Sequence, residues 1–410
     1  MTAVAGSNEA DFTPIFGLDM EQLRARRNSK WAKYGHDVIP AWIADMDCTT
    51  APAVQAAIQV LVNQQDYGYP LRDGERADFA VSRAFCERMS QLYRWKTGPA
   101  HVQPLADLVQ ATFAALTVYS APGEGVILQL PAYGPFHEAI HTTGRRLVPW
   151  HMRDNGEGWD GNIDALEALI TEDTRILVLC NPQNPTGHVF SRAELEAIGQ
   201  LVIRHNLVVL SDEVHCDILF DGRQHIPLAS LSPAIAAHTV TLNSATKSFN
   251  IPGLRCAVVH FGSDSLRDRF LQRMPRRMLG TPSVFGIDAT VAAWTKSDEW
   301  LKKAVAHLQD MRDLATEAIA RDMPGIRCHT PEATYMAWLD CSALDLGEPA
   351  ANFFLREAKV AFTAGEEFDP DRADFCRLNF ATSRPLLSEI LDRMTQALHR
   401  HSIAIADGVR

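Results

Sequence analysis

The chain has 410 residues, 46% of them hydrophobic and 22% charged, which is enough to bury a large core and predicts two closely packed domains. The formal net charge of −11 argues against nucleic acid as the main partner, because a nucleic-acid footprint needs a basic face. The sequence has no apolar run of the ~18 residues that a membrane helix needs, no signal-peptide core and no C-x-x-C pair among its eight cysteines, so we expect a cytoplasmic protein without a zinc site or disulfide framework.

The first third of the sequence predicts helices joined by short extended pieces. The segment VIPAWIADMD (38–47) is expected to be extended and to end in two acids. Pro52 marks a helix start, because proline is tolerated in a first helical turn, and the glycine and proline within residues 67–70 predict a loop. Helices are therefore predicted over residues 18–27, from 50 to about 66, over 74–95 and from 107 to 120.

From residue 126 onward, short apolar runs rich in β-branched residues alternate with helical patterns. The five runs are VILQL (126–130), ILVLC (176–180), LVVLS (207–211), TVTL (239–242) and CAVVHF (256–261). Continuously apolar strands separated by helices indicate a parallel sheet that is covered on both faces. Ligands of such a sheet bind at the carboxyl ends of its strands.

The last part of the sequence predicts a smaller α+β unit. A long amphipathic helix is expected over residues 298–321. Strands are then expected over residues 335–339 and 376–380, each followed by a helix, over residues 350–358 and 386–399 respectively.

The strand over residues 239–242 leads into the most informative stretch. Ser244 and Thr246 come immediately before Lys247, and Arg255 follows. A lysine whose pKa is lowered by its surroundings can attack a carbonyl, and hydroxyl groups with a guanidinium suit a phosphate dianion. The stretch therefore suggests a site for a phosphorylated aldehyde, although on its own it fits an ordinary surface lysine about equally well.

Polar or aromatic side chains also follow the three preceding strands. Tyr133 follows the first, Asn184 lies in the proline-punctuated loop NPQNPTG (181–187) after the second, and Asp212 follows the third. Because the carboxyl ends of parallel strands meet at one edge of a sheet, these groups are expected to share one crevice with Lys247. The combination is far more specific than any of its members.

These motifs resemble those of fold-type I pyridoxal-phosphate enzymes, the aspartate aminotransferase superfamily, and most closely those of the MalY/PatB-type cystathionine β-lyases, or C–S lyases. The resemblance extends from about residue 15 to about residue 400 and is carried by SKWAKYG (29–35), WIADMD (42–47), GYP (68–70), NPQNPTG (181–187), SDEVHCD (211–217) and TKSFNIPGL (246–254). It implies an α/β fold with a large domain, whose mostly parallel sheet is covered by helices on both faces, and a smaller α+β domain. The expected division is an N-terminal arm and part of the small domain over residues 1–49, the large cofactor-binding domain over 50–296 and the small domain over 297–410.

The resemblance implies a role in binding pyridoxal 5′-phosphate for a set of residues. Lys247 is expected to bond covalently to the cofactor, and Asp212 to pair with the pyridine nitrogen and keep it protonated. The remaining residues are expected to hydrogen-bond the ring's phenolic oxygen (Asn184), to stack on the ring (Tyr133), to hold the phosphate (Ser244, Thr246 and Arg255) or to reach the cofactor of a neighbouring subunit (Tyr69).

The substrate side and the reaction are also implied by the resemblance. Arg384, in the run LNFATSRP, is expected to clamp a substrate carboxylate in a bidentate pair, with Ala44 beside it. The reach of Tyr69 into a neighbouring site makes a homodimer the expected assembly. The expected catalytic residues are Lys247, Asp212 and Tyr133.

The expected reaction is α,β-elimination from an S-substituted, cystathionine-like L-cysteine, with Lys247 as the base at Cα and with a thiol, pyruvate and ammonia as products. An aminotransferase would use the same residues. An enzyme of a specialised pathway that processes a cysteine conjugate is a further reading. A regulator that binds the cofactor and contacts another protein is the alternative from a different class.

One position departs from the pattern of these enzymes. Where they usually have a glycine-containing turn that opens the phosphate-binding helix, residues 106–109 read Ala-Asp-Leu-Val. Asp107 is a good helix N-cap, which is the favoured reading, but a carboxylate that faces a phosphate would repel it. Either Asp107 points away or the cofactor is held differently. Of the residues near the third strand, Glu213 is expected to support its loop, and His215 either contacts a ligand or packs as a buried polar residue.

Overall fold

The computed structural model describes residues 14–72 and 74–406, so the predicted N-terminal arm before residue 14 lies outside the described part. Within these residues the strands are β1 (Ile39–Pro40), β2 (Leu71–Arg72), β3 (Glu75–Arg76), β4 (Val102–Leu105), β5 (Gly125–Leu130), β6 (Arg146–His151), β7 (Arg153–Asp154), β8 (Trp159–Asp160), β9 (Thr174–Cys180), β10 (Val208–Asp212), β11 (Thr239–Asn243), β12 (Ala257–Phe261), β13 (Met336–Asp340), β14 (Val360–Ala361), β15 (Thr363–Ala364) and β16 (Phe375–Asn379).

The α-helices of the same residues are α1 (Met20–Arg24), α2 (Ser29–Ala32), α3 (Pro52–Gln64), α4 (Asp78–Tyr93), α5 (Leu108–Tyr119), α6 (Gly134–Thr142), α7 (Ile163–Leu169), α8 (Arg192–Arg204), α9 (Pro233–Ala236), α10 (Asp264–Arg273), α11 (Arg276–Leu279), α12 (Val284–Lys296), α13 (Asp298–Asp322), α14 (Ala350–Phe353) and α15 (Arg384–Ala406). No helix in this part of the chain is long and apolar enough to cross a membrane.

Seven strands form the large sheet, in the order β4-β12-β11-β10-β9-β5-β6. The five strands from β11 to β6 are parallel. The sequence predicted this for β5, β9, β10 and β11, whereas β6 was not among the predicted strands. The run over residues 256–261 was expected to join them, but β12 is antiparallel to both β11 and β4. Parallel pairing needs a long crossover, usually a helix, and the segment between β11 and β12 holds only the short 3₁₀ turn Pro252–Leu254.

This reversal decides where two site residues lie. Leu105 at the end of β4 pairs with Ala257 at the start of β12, and this pair lies at the edge where the parallel strands end. Asp107 follows β4 and Arg255 precedes β12, so both residues come to that edge beside the segment that carries Lys247.

Helices cover both faces of the large sheet because its strands are apolar on both sides. Val126 and Leu128 share a buried cluster with residues of α5, α6 and α10. Ile127, between them in the sequence, belongs to a cluster with residues of α7 and α8, because successive side chains of a strand point to opposite faces. Full burial stabilises each such side chain by roughly 1.5–3 kcal/mol.

The C-terminal part forms a second, antiparallel sheet in the order β13-β16-β15, and α13 packs against α15 beside it. The N-terminal strand β1 pairs in parallel with β14, through Ile39 and Val360. The segment after β1 is thereby held against the C-terminal part of the chain and brings Ala44 to Lys247. The domain boundaries at residues 49/50 and 296/297 remain a prediction.

Candidate active site

A cavity of about 580 Å³ lies at the edge of the large sheet where β9, β10 and β11 end. Of the ten residues predicted for the site, eight line this cavity: Ala44, Tyr133, Asn184, Asp212, Ser244, Thr246, Lys247 and Arg255. Tyr69 and Arg384 do not line it. The fold therefore brings together side chains that are up to about 200 positions apart in the sequence.

Lys247 lies four residues beyond the end of β11 and is partly buried. Its Nζ donates a hydrogen bond to the Ala44 carbonyl at 3.3 Å, and the Tyr335 hydroxyl donates to the same oxygen at 3.3 Å. Removal from water, followed by the positive charge of Arg377, lowers the pKa of Lys247 to about 8. An appreciable fraction of its amine is therefore unprotonated near neutral pH, as attack on a carbonyl requires.

Asp212 is the last residue of β10 and pairs in register with Leu242 of β11. Its carboxylate accepts a hydrogen bond from the Val214 backbone N–H at 3.2 Å. Burial raises the pKa of Asp212 to about 7, although Val214 and the Lys247 charge act in the opposite direction. A buried carboxylate with so little compensation can hold a cationic hydrogen-bond donor strongly.

The turn between β11 and Lys247 is shaped by a buried serine. Ser244 Oγ donates to the Cys256 carbonyl at 2.7 Å and accepts from the Thr246 backbone N–H at 3.1 Å. Thr246 and Arg255 line the cavity next to this turn. A hydroxyl-rich turn and a guanidinium thus form one end of the cavity, and both suit an anion.

Asp107 lies at the same end of the cavity. Its contacts show whether it caps α5 and whether it points away from the site, the two points that the sequence left open. It is the N-cap of α5, because its Oδ1 accepts a hydrogen bond from the Gln110 backbone N–H at 2.7 Å. The expected N-cap is therefore confirmed. The side chain does not point away from the site, however, since its Oδ2 forms an ion pair with Arg255.

The cavity is also lined by a buried arginine that the sequence analysis did not select. Arg377 in β16 is 4% exposed and donates from Nη1 to Asn184 Oδ1 at 2.9 Å and from Nη2 to the Trp42 carbonyl at 2.9 Å. Burial lowers the pKa of Arg377 to about 10, so the guanidinium stays cationic at neutral pH. The Phe368 ring centre lies 4.7 Å from it, and these contacts fix the guanidinium beside Asn184.

The structure does not place Arg384 at the cavity, which corrects the predicted carboxylate clamp. The chain leaves β16 after Asn379 and turns into α15, and Arg384 is the exposed first residue of that helix. The signal for Arg377 was present in the sequence, as an arginine inside the predicted strand over residues 376–380. Which face of the sheet it occupies depends on the register of β16 with β13, and the sequence did not reveal that register.

The two predicted tyrosines are placed differently. Tyr133 follows β5 at the start of α6, lines the cavity and leaves 40% of its side chain exposed. Burial of the rest raises the pKa of its phenol. Tyr69 is fully exposed in the loop after α3 and lies away from the cavity of its own chain.

Three further titratable side chains are among the residues that line the cavity: His215, Asp45 and Cys180. His215 is buried, and burial lowers its pKa to about 3, so its imidazole is neutral. Its Nδ1 has no hydrogen-bond partner among the described residues. Burial raises the pKa of the Asp45 carboxyl. The pairing of β1 with β14 holds the segment that brings Asp45 to the site.

The acid next to Asp212 has a supporting role, as predicted. Glu213 Oε1 accepts hydrogen bonds from Ser211 Oγ at 2.9 Å and from the Leu228 backbone N–H at 3.1 Å. Its Oε2 lies 2.9 Å from His225 Nε2. The carboxylate is therefore fully used in holding the loop after β10.

The groups at the cavity fit a flat cofactor with an aldehyde, a basic ring nitrogen and a phosphate. The under-satisfied carboxylate of Asp212 suits a protonated ring nitrogen, and the amine of Lys247 suits the aldehyde. Arg255 and the turn at Ser244 suit the phosphate, whereas the carboxylate of Asp107 does not. Among the described residues, no group of three or more His, Cys, Asp or Glu side chains could hold a metal ion.

Comparisons with known proteins show the family and the fold to which the chain is similar. The family model described as aminotransferase class I and II matches residues 49–394. The cystathionine β-lyase PatB of Bacillus subtilis (strain 168) is 29% identical over 385 residues, which cover 92% of this chain and 98% of PatB.

Two solved structures are similar over almost the whole chain. The crystal structure of OvoB is 35% identical with a TM-score of 0.85 and covers 91% of this chain and 96% of that one. The pyridoxal-phosphate-bound C–S lyase from Staphylococcus hominis is 27% identical with a TM-score of 0.85, over 95% of this chain and 98% of that one. The fold is therefore that of fold-type I pyridoxal-phosphate enzymes.

Proposed function

The chain belongs to the family of class I and II aminotransferases, and from that membership we propose that it is a pyridoxal-phosphate-dependent C–S β-lyase. Its substrate class is S-substituted L-cysteines of the cystathionine type, and its products are a thiol, pyruvate and ammonia. The observation that carries the proposal is the pair of Lys247 and Asp212, which lie on neighbouring strand ends at one cavity and have pKa values shifted toward each other. The C–S lyases among its relatives support the choice of reaction.

When bound, pyridoxal phosphate supplies an electrophilic aldehyde and a ring that accepts electron density from the substrate's Cα. Lys247 would hold the aldehyde through Nζ, and its amine would act as the general base that takes the substrate's Cα proton. Asp212 keeps a proton on the ring nitrogen, which strengthens the ring as an electron acceptor. Asn184, Tyr133, Thr246 and Arg255 orient the ring and its phosphate.

The substrate carboxylate is assigned to Arg377 in place of Arg384. The Arg377 guanidinium lines the cavity, is buried and is oriented by Asn184, so it offers a fixed cationic group near Lys247. The Ala44 carbonyl accepts a hydrogen bond from Lys247, which supports a place for Ala44 next to the bound substrate. Arg–carboxylate pairs are strong and directional, so Arg377 would select α-amino acids over amines.

The proposal includes a homodimer in the cytoplasm. Large apolar side chains are exposed on α3, in the loop that follows it and at the start of β2: Val60, Val62, Tyr67, Tyr69 and Leu71. Several large exposed apolar side chains in one segment favour an interface, and the fully exposed Tyr69 is free to reach a neighbouring cavity. All eight cysteines are free thiols, which supports a reducing compartment.

A direct assay tests the reaction. The protein loaded with pyridoxal phosphate is incubated with L-cystathionine or another cysteine thioether, and pyruvate and free thiol are measured. We expect both to appear in equal amounts. Lys247→Ala should abolish both, whereas Lys302→Ala, at an exposed position of α13, should not.

An aminotransferase is the second candidate, because the same residues serve it and the family model includes it. It is distinguished by adding 2-oxoglutarate to the same assay. Glutamate formed without pyruvate or thiol would replace the lyase proposal with transamination.

A further inference from the structure

The phosphate end of the cavity contains a negative charge where a cofactor phosphate requires positive ones. Arg255 is the cationic residue that lines the cavity next to the Ser244–Thr246 turn. Its guanidinium is already engaged by Asp107 Oδ2. A phosphate that reaches Arg255 must therefore share it with a carboxylate.

The position of Asp107 is fixed by two independent contacts. Its Oδ1 caps α5 through the Gln110 backbone N–H at 2.7 Å, and its Oδ2 pairs with Arg255. The pairing of β4 with β12 holds these two residues opposite each other. The side chain of Asp107 is 28% exposed, so its charge is only partly screened by water. Rotation away from the phosphate would lose the cap.

We propose that Asp107 competes with the cofactor phosphate for Arg255. This chain therefore binds pyridoxal phosphate more weakly than a variant in which residue 107 carries no charge. The inference rests on the proposed function, because it takes the phosphate end of the cavity as the place of the cofactor phosphate. A carboxylate cannot donate hydrogen bonds to phosphate, and its charge opposes that of the phosphate dianion. The phosphate is consequently bound by an arginine whose charge is partly neutralised.

Asp107→Asn is the matched variant, because asparagine is as good an N-cap as aspartate and removes the charge alone. Cofactor is removed, and binding of pyridoxal phosphate is titrated by the visible absorbance of the bound cofactor. The same titration is repeated with pyridoxal, which lacks the phosphate. The charge control is Asp264→Asn, which removes an exposed carboxylate paired with Arg267 at the start of α10, away from the cavity.

We expect Asp107→Asn to lower the dissociation constant for pyridoxal phosphate by about tenfold or more, since unit charges a few ångströms apart near a protein surface interact this strongly. The dissociation constant for pyridoxal should change by less than about twofold, because it carries no phosphate. The gain should shrink as salt is raised, since salt screens partly exposed charges. Asp264→Asn should leave both ligands unaffected.

An unchanged or weaker affinity of Asp107→Asn for pyridoxal phosphate would overturn the competition and make Asp107 a residue that positions Arg255. An equal gain for pyridoxal and its phosphate would also overturn it, because the effect would not depend on the phosphate charge. If neither the natural chain nor the variant bound pyridoxal phosphate, the proposed function would fail and this inference with it. Thermal unfolding followed by circular dichroism first checks that Asp107→Asn is folded like the natural chain.

Discussion

Two ionisable side chains at the cavity have pKa values shifted in opposite directions for the same reason. Burial disfavours the charged forms of both Lys247 and Asp212, which lowers the pKa of the amine to about 8 and raises that of the carboxyl to about 7. Without a cofactor, the protein therefore bears the cost of a poorly solvated pair. A bound group that pairs with the acid and bonds to the amine removes that cost.

The lysine shift predicts how stability depends on pH. The folded-state pKa of Lys247 is about 8 and its ordinary value is 10.5, so the folded state binds fewer protons than the unfolded state between these values. The ammonium should destabilise the cofactor-free fold fully below about pH 8, and this penalty should disappear as pH rises to 10.5. Lys247→Met should therefore raise the free energy of unfolding at pH 7 and have little effect at pH 10.5, as urea unfolding can measure. An advantage that is independent of pH would contradict the shift.

The two arginines near the end of the chain provide a matched test of substrate binding. Arg377→Lys keeps the charge but loses the bidentate guanidinium that a carboxylate needs. We expect the KM for the amino-acid substrate to rise by about tenfold or more, with a smaller change in kcat. Arg384→Lys should change neither value, because Arg384 is exposed outside the cavity. The reverse pattern in steady-state kinetics would restore the role first assigned to Arg384.

The strands explain how much of the site the sequence could predict. Apolar runs identified β5, β9, β10 and β11, and motifs at their ends located Tyr133, Asn184, Asp212 and Lys247. The sequence missed β4 and β6, because each contains a proline and β6 alternates between exposed and buried residues. It also missed Arg377 and Asp45, because the pairing and register of distant segments bring them to the cavity, and the sequence did not reveal either.

One glycine in the loop after β9 has a role that can be tested. Gly187 has a φ of +75°, and a Cβ there would lie 2.6 Å from Pro331 Cβ and 3.0 Å from its Cα. Gly187→Ala should therefore destabilise the fold by about 2 kcal/mol or more, through backbone strain and a clash, and weaken cofactor binding through Asn184. Gly156→Ala shares the positive φ, at +90°, but meets no atom within 4 Å. Gly156→Ala should lower the free energy of unfolding by only about 1 kcal/mol, as measured by chemical denaturation. Equal losses of stability in the two variants would show that the contact with Pro331 is unimportant.

At the scale of the whole molecule, the exposed Tyr69 predicts a site shared between two subunits. Lys247→Ala and Tyr69→Ala should each be nearly inactive alone. Reassociated in equal amounts, they should recover about a quarter of the natural activity, because half of the dimers are hybrids and each hybrid has one intact site. The test requires subunit exchange, which mass measurement of tagged chains confirms. Exchange without recovery would show that Tyr69 acts within its own chain or not at all.

The central claim is that the amine of Lys247 is the group that binds pyridoxal phosphate. The most direct measurement is to load the protein with the cofactor, reduce it with borohydride and locate the modified residue by peptide mass spectrometry. The proposal predicts a single phosphopyridoxyl group on Lys247, with loss of the visible absorbance. Absence of the modification, or its appearance on another lysine such as the buried Lys30, would contradict the claim.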